Sequence, residues 1–167
     1  LHAEFLGDFW LEQGEAAAAL RCYNEVLPRA AAIAPNGDIV AELQRRRADA
    51  LALQGSYADA RKIAAEALEH CRRLGDRYEE AATFRTLALS SAALGKHAEA
   101  KAWFDQGFAI YEDIETPYEW GKLWLAYGDW LSGDHSGTYA SREGALDAYR
   151  VALEHFKQAG VEGYVDA

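Results

Sequence analysis

Apolar residues recur along the chain at three- and four-residue intervals, in runs of about four turns broken by Gly and polar residues. One run covers Ile39 to Gln54. It meets the turn Gly55-Ser56, and a second run continues from Tyr57 to about Arg73. The next pair runs from Arg77 to Leu94, turns at Gly95-Lys96 and continues to about Ile114. No stretch alternates β-branched and polar residues as a half-buried strand does. Ala and Leu dominate the runs, and both favour helix. The pattern therefore predicts helices throughout, joined two by two into hairpins. Pro28 is expected to kink or end its helix. Pro35-Asn36-Gly37-Asp38 reads as a loop, and Pro117 fits the first turn of a helix.

The runs repeat. Turn residues Gly14, Gly55 and Gly95 are 41 and 40 residues apart. A small residue in the helix before the turn recurs as Gly7, Ala48, Ala88 and Gly128. A second recurs in the helix after it as Ala19, Ala60, Ala100 and Ala145. Four residues beyond that one stand Tyr23, Phe104 and Tyr149, with Ala64 as the exception. The phrase Tyr78-Glu79-Glu80-Ala81 has an echo at Tyr118-Glu119. Two helices approach closely only where one presents Gly or Ala, so this register marks the packing seam of each hairpin. It divides 1–167 into a single domain of repeats at about 1–37, 38–76, 77–116 and 117–162, with 163–167 opening a further one. The last repeat carries an insertion across Ser132 to Tyr139. Gln44 and Arg47 stand where the first-helix pattern is otherwise apolar, so either that helix is rotated or Arg47 reaches outward from a buried stem.

With its small first-helix residue, turn Gly, second-helix Ala and following aromatic, the chain resembles the tetratricopeptide repeat family. Trp124-Leu125-Ala126-Tyr127-Gly128 matches the opening of that repeat, with Phe84-Arg85-Thr86-Leu87-Ala88 a softer version. The spacing near 40 is similar to repeats of bacterial multidomain signalling proteins and transcriptional regulators. The resemblance implies an all-α fold: an α-solenoid, a right-handed superhelix of about four antiparallel helix-turn-helix repeats. It also implies a non-catalytic protein-binding or scaffolding role, as the sensory or regulatory region of such a regulator. A purely structural or oligomerising segment and a regulatory phosphatase-like protein are the alternatives.

Composition narrows the partners. Of 167 residues 34 are Ala, and 17 Lys+Arg against 27 Asp+Glu leave a net charge of −10. Such a chain is a poor ligand for nucleic acid or anionic membranes. No apolar run approaches the ~20 residues of a membrane span, and no signal peptide is visible, so a cytoplasmic location is expected. With no Met at all, and with Phe5, Leu6 and Phe9 already in helical phase, the segment is expected to belong to a longer chain whose solenoid ends can self-associate.

Catalytic and metal motifs are not apparent. The five His are scattered, and Cys22 and Cys71 lack close partners. Asp134-His135-Ser136 are adjacent and cannot converge as a triad. Glu79-Glu80 and Glu112-Asp113 read as solvated helix charges. No metal, cofactor or catalytic residue is expected.

Stacked hairpins line a concave face with their first helices. Helical phase places Glu4, Phe5 and Asp8 there, then Arg45, Arg46 and Asp49, then Arg85 and Leu89, then Lys122, Leu125 and Asp129. Four cations would thus form a basic stripe in an acidic chain. Arg forks suit carboxylates, so a protein or peptide bearing acidic or carboxylate groups is the expected partner. Trp120 and Trp130 do not share the packing phase of Trp124 and Tyr127 and are candidates for an exposed aromatic contact surface.

Overall fold

The computed structural model of the protein describes residues 2–133 and 139–161. These residues form eight helices: α1 (His2–Glu12), α2 (Ala16–Ile33), α3 (Asp38–Leu53), α4 (Tyr57–Leu74), α5 (Arg77–Ala93), α6 (His97–Tyr111), α7 (Pro117–Ser132) and α8 (Arg142–Gln158). Consecutive helices pack as four hairpins, α1 with α2 through α7 with α8. Each even helix also touches the odd helix that follows, and the odd helices stack in order, α1 on α3, α3 on α5 and α5 on α7. The described part is therefore an α-solenoid with the odd helices as its inner layer. Most of the 132–139 insertion and the 163–167 opening of a fifth repeat lie outside the described residues.

Local chemistry explains the punctuation. Gly55 and Gly95 hold φ of 85° and 73°, a left-handed conformation that costs Gly alone little. Asp76 caps α5 by accepting the Glu79 backbone N–H at 3.0 Å, and Ser141 caps α8 through Gly144. Pro117 opens α7. Pro28 does not end its helix, because α2 continues to Ile33. Pro28 and Asn24 are both exposed, so the carbonyl deprived of its helical donor can face water.

The small-residue register is the hairpin seam. Ala19, Ala48, Ala60, Ala88 and Ala100 are fully buried, and Ala145 nearly so. A Cβ added at Gly7 would lie 2.5 Å from the Tyr23 ring, and one at Gly128 would lie 2.6 Å from the Tyr149 ring. The glycine and the aromatic are thus a matched pair. The hydroxyl of each Tyr then bonds the Asp that follows the glycine. Tyr23 donates to Asp8 at 2.7 Å and Tyr149 to Asp129 at 2.9 Å. In the third hairpin Phe104 has no hydroxyl, and the corresponding pair is Ala88-Leu89. In the second, Ala64 offers no hydroxyl to Asp49 across the hairpin.

Burial concentrates on α5, which touches α3, α4, α6 and α7. Even its Thr83, Thr86, Ser90 and Ser91 are buried. Thr83 is satisfied by the Glu79 carbonyl at 2.7 Å and Ser91 by Glu99 at 3.0 Å. Arg47 is half-buried, and its Nε lies in the interior without a hydrogen-bond partner among the described residues, so its stem is covered.

Candidate binding groove

The concave face is a groove of about 770 Å³ formed almost wholly by α1, α3, α5 and α7. Arg45, Arg46, Asp49, Arg85, Leu89, Lys122, Leu125 and Asp129 all line it, as does Asp8. Glu4 and Phe5 lie outside its lining; Phe5 is 66% exposed. The groove has two sides. Towards the helix C-termini stand Leu11, Leu53, Leu89, Ala92, Ala93, Leu125 and Trp130, with Glu12 and Asp129 among them. Towards the N-termini stand Glu42, Tyr78, Glu79, Tyr118 and Glu119, with the cations between.

Those cations are bound to carboxylates, Arg45, Arg46 and Arg85 on neighbouring helices and Lys122 on its own. Arg45 of α3 donates through Nε to Glu79 of α5. Forty residues on, Arg85 of α5 donates through Nη1 to Glu119 of α7 at 2.8 Å. Asp49 accepts from Arg45 at 2.7 Å and from Thr86, and lies 3.8 Å from Arg85. Lys122 donates to Glu119 at 3.0 Å and sits 5.0 Å over the Tyr118 ring. Arg46 faces back towards α1. It holds Asp8 at 2.7 Å and Glu4 at 3.2 Å, and also Glu42 on its own helix. The result is a ladder of ion pairs from α1 to α7.

The ladder is largely dry. Arg45 and Arg85 are each 8% exposed and Glu79 is 6% exposed, so Glu79 is a buried partner and not the solvated helix charge its sequence suggests. Both Glu79 and Glu119 occupy first helical turns, where the helix dipole adds to their stabilisation. Burial alone would raise the Glu119 carboxyl. Arg85, Lys122 and Arg45 beside it, and the hydrogen bond from Lys122, outweigh that and hold it at about 2 against an ordinary 4.5. Burial and the neighbouring Arg85 lower Lys122, against the pull of Glu119. Burial, then Glu119 and Glu79, pushes the Tyr78 hydroxyl up to about 12.

The expected basic stripe is consequently not basic. Among the described residues, seven carboxylates line the groove against four cations, and those cations are already paired. Sequence reading missed Glu42, Glu79 and Glu119 as groove residues. The signal was present: Tyr78-Glu79 and Tyr118-Glu119 follow Arg45 and Arg85 by the same 33 and 34 residues.

The aromatic surface expected at Trp120 and Trp130 also changes. Trp130 is 6% exposed and packs against Phe104, Tyr127 and Tyr139 at centroid distances of 5.5, 5.7 and 5.2 Å. Trp120 is half-buried and stacks on His155 at 4.5 Å. Tyr139, just before α8, covers Trp130 from one side.

Among the described residues, no group of three or more His, Cys, Asp or Glu is arranged to hold a metal ion, and no helix is long and apolar enough to cross a membrane. No curated protein matches the chain. Residues 39–113, from α3 to α6, match the tetratricopeptide repeat family. The flanking hairpins carry the same seam, Gly7 with Ala19 and Gly128 with Ala145, and the same hairpin-on-hairpin packing: the chain contains tetratricopeptide repeats at 39–113, and its outer hairpins share their architecture.

Proposed function

We propose that the chain is a non-catalytic interaction module that holds a protein or peptide segment in the groove of α1, α3, α5 and α7, within the sensory or regulatory region of a bacterial signalling or transcriptional regulator. The observation that carries this reading is the groove itself, about 770 Å³ and lined by Leu11, Leu53, Leu89 and Leu125 beside its charged side chains. Pockets of this size with an apolar wall and a few placed polar groups are typical binding sites. The charged side chains along its floor are engaged with one another and fix the stacking of the helices; they are not arranged around a reacting centre. Tetratricopeptide repeats generally mediate protein–protein contacts, which favours the same reading.

A photo-crosslinking amino acid tests it. Placed at Ala93 or Leu53 in the groove, it should yield polypeptide adducts in cells that the same residue at Glu66 of α4 does not. Equal adducts from both positions refute the groove as the binding face. The structural alternative draws on one feature, the exposed apolar row Phe5, Leu6 and Phe9 on α1. Light scattering that shows a concentration-dependent dimer, abolished by Phe5→Ser with Phe9→Ser, would favour it.

A further inference from the structure

The partner chemistry of this groove follows from its charge accounting, given the reading of the groove as a binding site. We infer that it takes a polypeptide segment that is basic and apolar, not acidic, with cationic side chains at the α1–α3 end and apolar ones along the Leu89–Leu125 side.

Three observations converge. First, the cations cannot recruit an acidic ligand cheaply. Arg45, Arg85 and Lys122 are matched by Asp49, Glu79 and Glu119 in a buried row. An incoming carboxylate would have to displace one of these and leave it unpaired in the interior, which is strongly unfavourable. Second, the surplus charge is localised. Around Arg46 stand three carboxylates, Glu4, Asp8 and Glu42, and each contacts that single guanidinium. Glu12 lies a turn beyond, exposed and on the groove wall. A cationic side chain entering here meets uncompensated negative charge and displaces nothing. Burial raises the Glu42 carboxyl, and the nearby Glu79 and Glu4 add to it against Arg46 and Arg45. Third, the opposite end is different in kind. Leu89 and Leu125 occupy positions equivalent to Asp49 and Arg85, so the ladder gives way to apolar side chains, with Asp129 at the rim. Such asymmetry orients a bound segment as well as selecting it.

Three 12-residue peptides test the inference, alternating Leu with Lys, with Glu or with Ser, titrated by calorimetry into the 167-residue chain. The Lys–Leu peptide should bind at least about tenfold tighter than the Ser–Leu peptide, and more weakly as salt is raised. Glu12→Lys should weaken it about fivefold or more, whereas Glu66→Lys, the same charge change on the exposed face of α4, should weaken it less than twofold. Ala93→Trp, which fills the groove from an exposed position, should abolish it. Tighter binding of the Glu–Leu peptide, lost with Ala93→Trp, would overturn the inference and leave the groove reading intact. Binding of the Lys–Leu peptide that Glu66→Lys weakens as much as Glu12→Lys would also overturn it, because the attraction would then be that of the whole acidic chain. Binding of no peptide, or binding indifferent to Ala93→Trp, would refute the groove reading and the inference together.

Discussion

Glu119→Gln isolates the ladder's contribution. The substitution keeps the shape of the side chain and removes its charge, so Arg85 and Lys122 lose their shared partner. The magnitude can be reached by two routes. A carboxyl held at about 2 in the folded chain against 4.5 contributes about 3 kcal/mol at neutral pH, at roughly 1.4 kcal/mol per pH unit. Breaking a buried ion pair from one side costs about 3–5 kcal/mol in general. The variant should therefore be about 3 kcal/mol less stable at pH 7 by urea unfolding. The pH dependence has a definite sign. Because the folded-state value is depressed, the stabilisation is complete above the unfolded value of 4.5 and is lost as pH falls towards about 2. Over that window the wild type should lose stability more steeply than the variant, by up to one proton's worth, and the two curves should converge near pH 2. A double replacement, Arg85→Met with Glu119→Leu, should cost less than Glu119→Gln alone, since it leaves fewer buried charges unpaired. A variant within about 0.5 kcal/mol of wild type at pH 7, or one with an unchanged acid limb, would refute the assignment of Glu119 as the hub of a dry ladder.

Two further outcomes follow from the packing. Gly128→Ala should destabilise by about 1–2 kcal/mol in chemical unfolding, because overpacking against the Tyr149 ring exceeds the gain in helix propensity. In a Tyr149→Ala background, which recreates the Ala48–Ala64 pairing of the second hairpin, the same change should become neutral or stabilising. An equal penalty in both backgrounds would show that Tyr149 is not the neighbour that excludes the methyl. Cys71 is fully buried, and burial, with Glu79 and Asp76 nearby, pushes its thiol up to about 11. It should resist alkylation at pH 8 until the chain unfolds, whereas rapid labelling of the native protein, located by mass spectrometry, would contradict that burial.

Much of the molecule was legible in one dimension because helical hairpins write a period into the sequence. Gly7 and Gly128 mark the seam because the Tyr23 and Tyr149 rings occupy the place of a Cβ, and Ala48 and Ala88 mark it as fully buried small residues. The placement of Arg45, Arg85, Lys122 and Asp129 on a common face follows from helical phase alone. Phase is blind, however, to what lies opposite. That Arg45 meets Glu79 and Arg85 meets Glu119 depends on how far one odd helix is displaced along the next, and the stacking of α3, α5 and α7 decides it. The same holds for Trp130: its phase on α7 is outward from the hairpin seam, but Phe104 from the preceding hairpin and Tyr139 from the connection to α8 converge to cover it.

The sequence by itself determined the all-helical class, the hairpin repeat and a part of the groove lining, Arg45, Arg46, Asp49, Arg85, Leu89, Lys122, Leu125 and Asp129, because each of these depends on contacts close along the chain. Only the tertiary structure decided the electrostatic character of that groove. Side chains separated by 34 to 42 residues meet across helix interfaces, and once paired in the interior their charges cancel. What remains for a partner is the unpaired remainder, and that remainder is acidic.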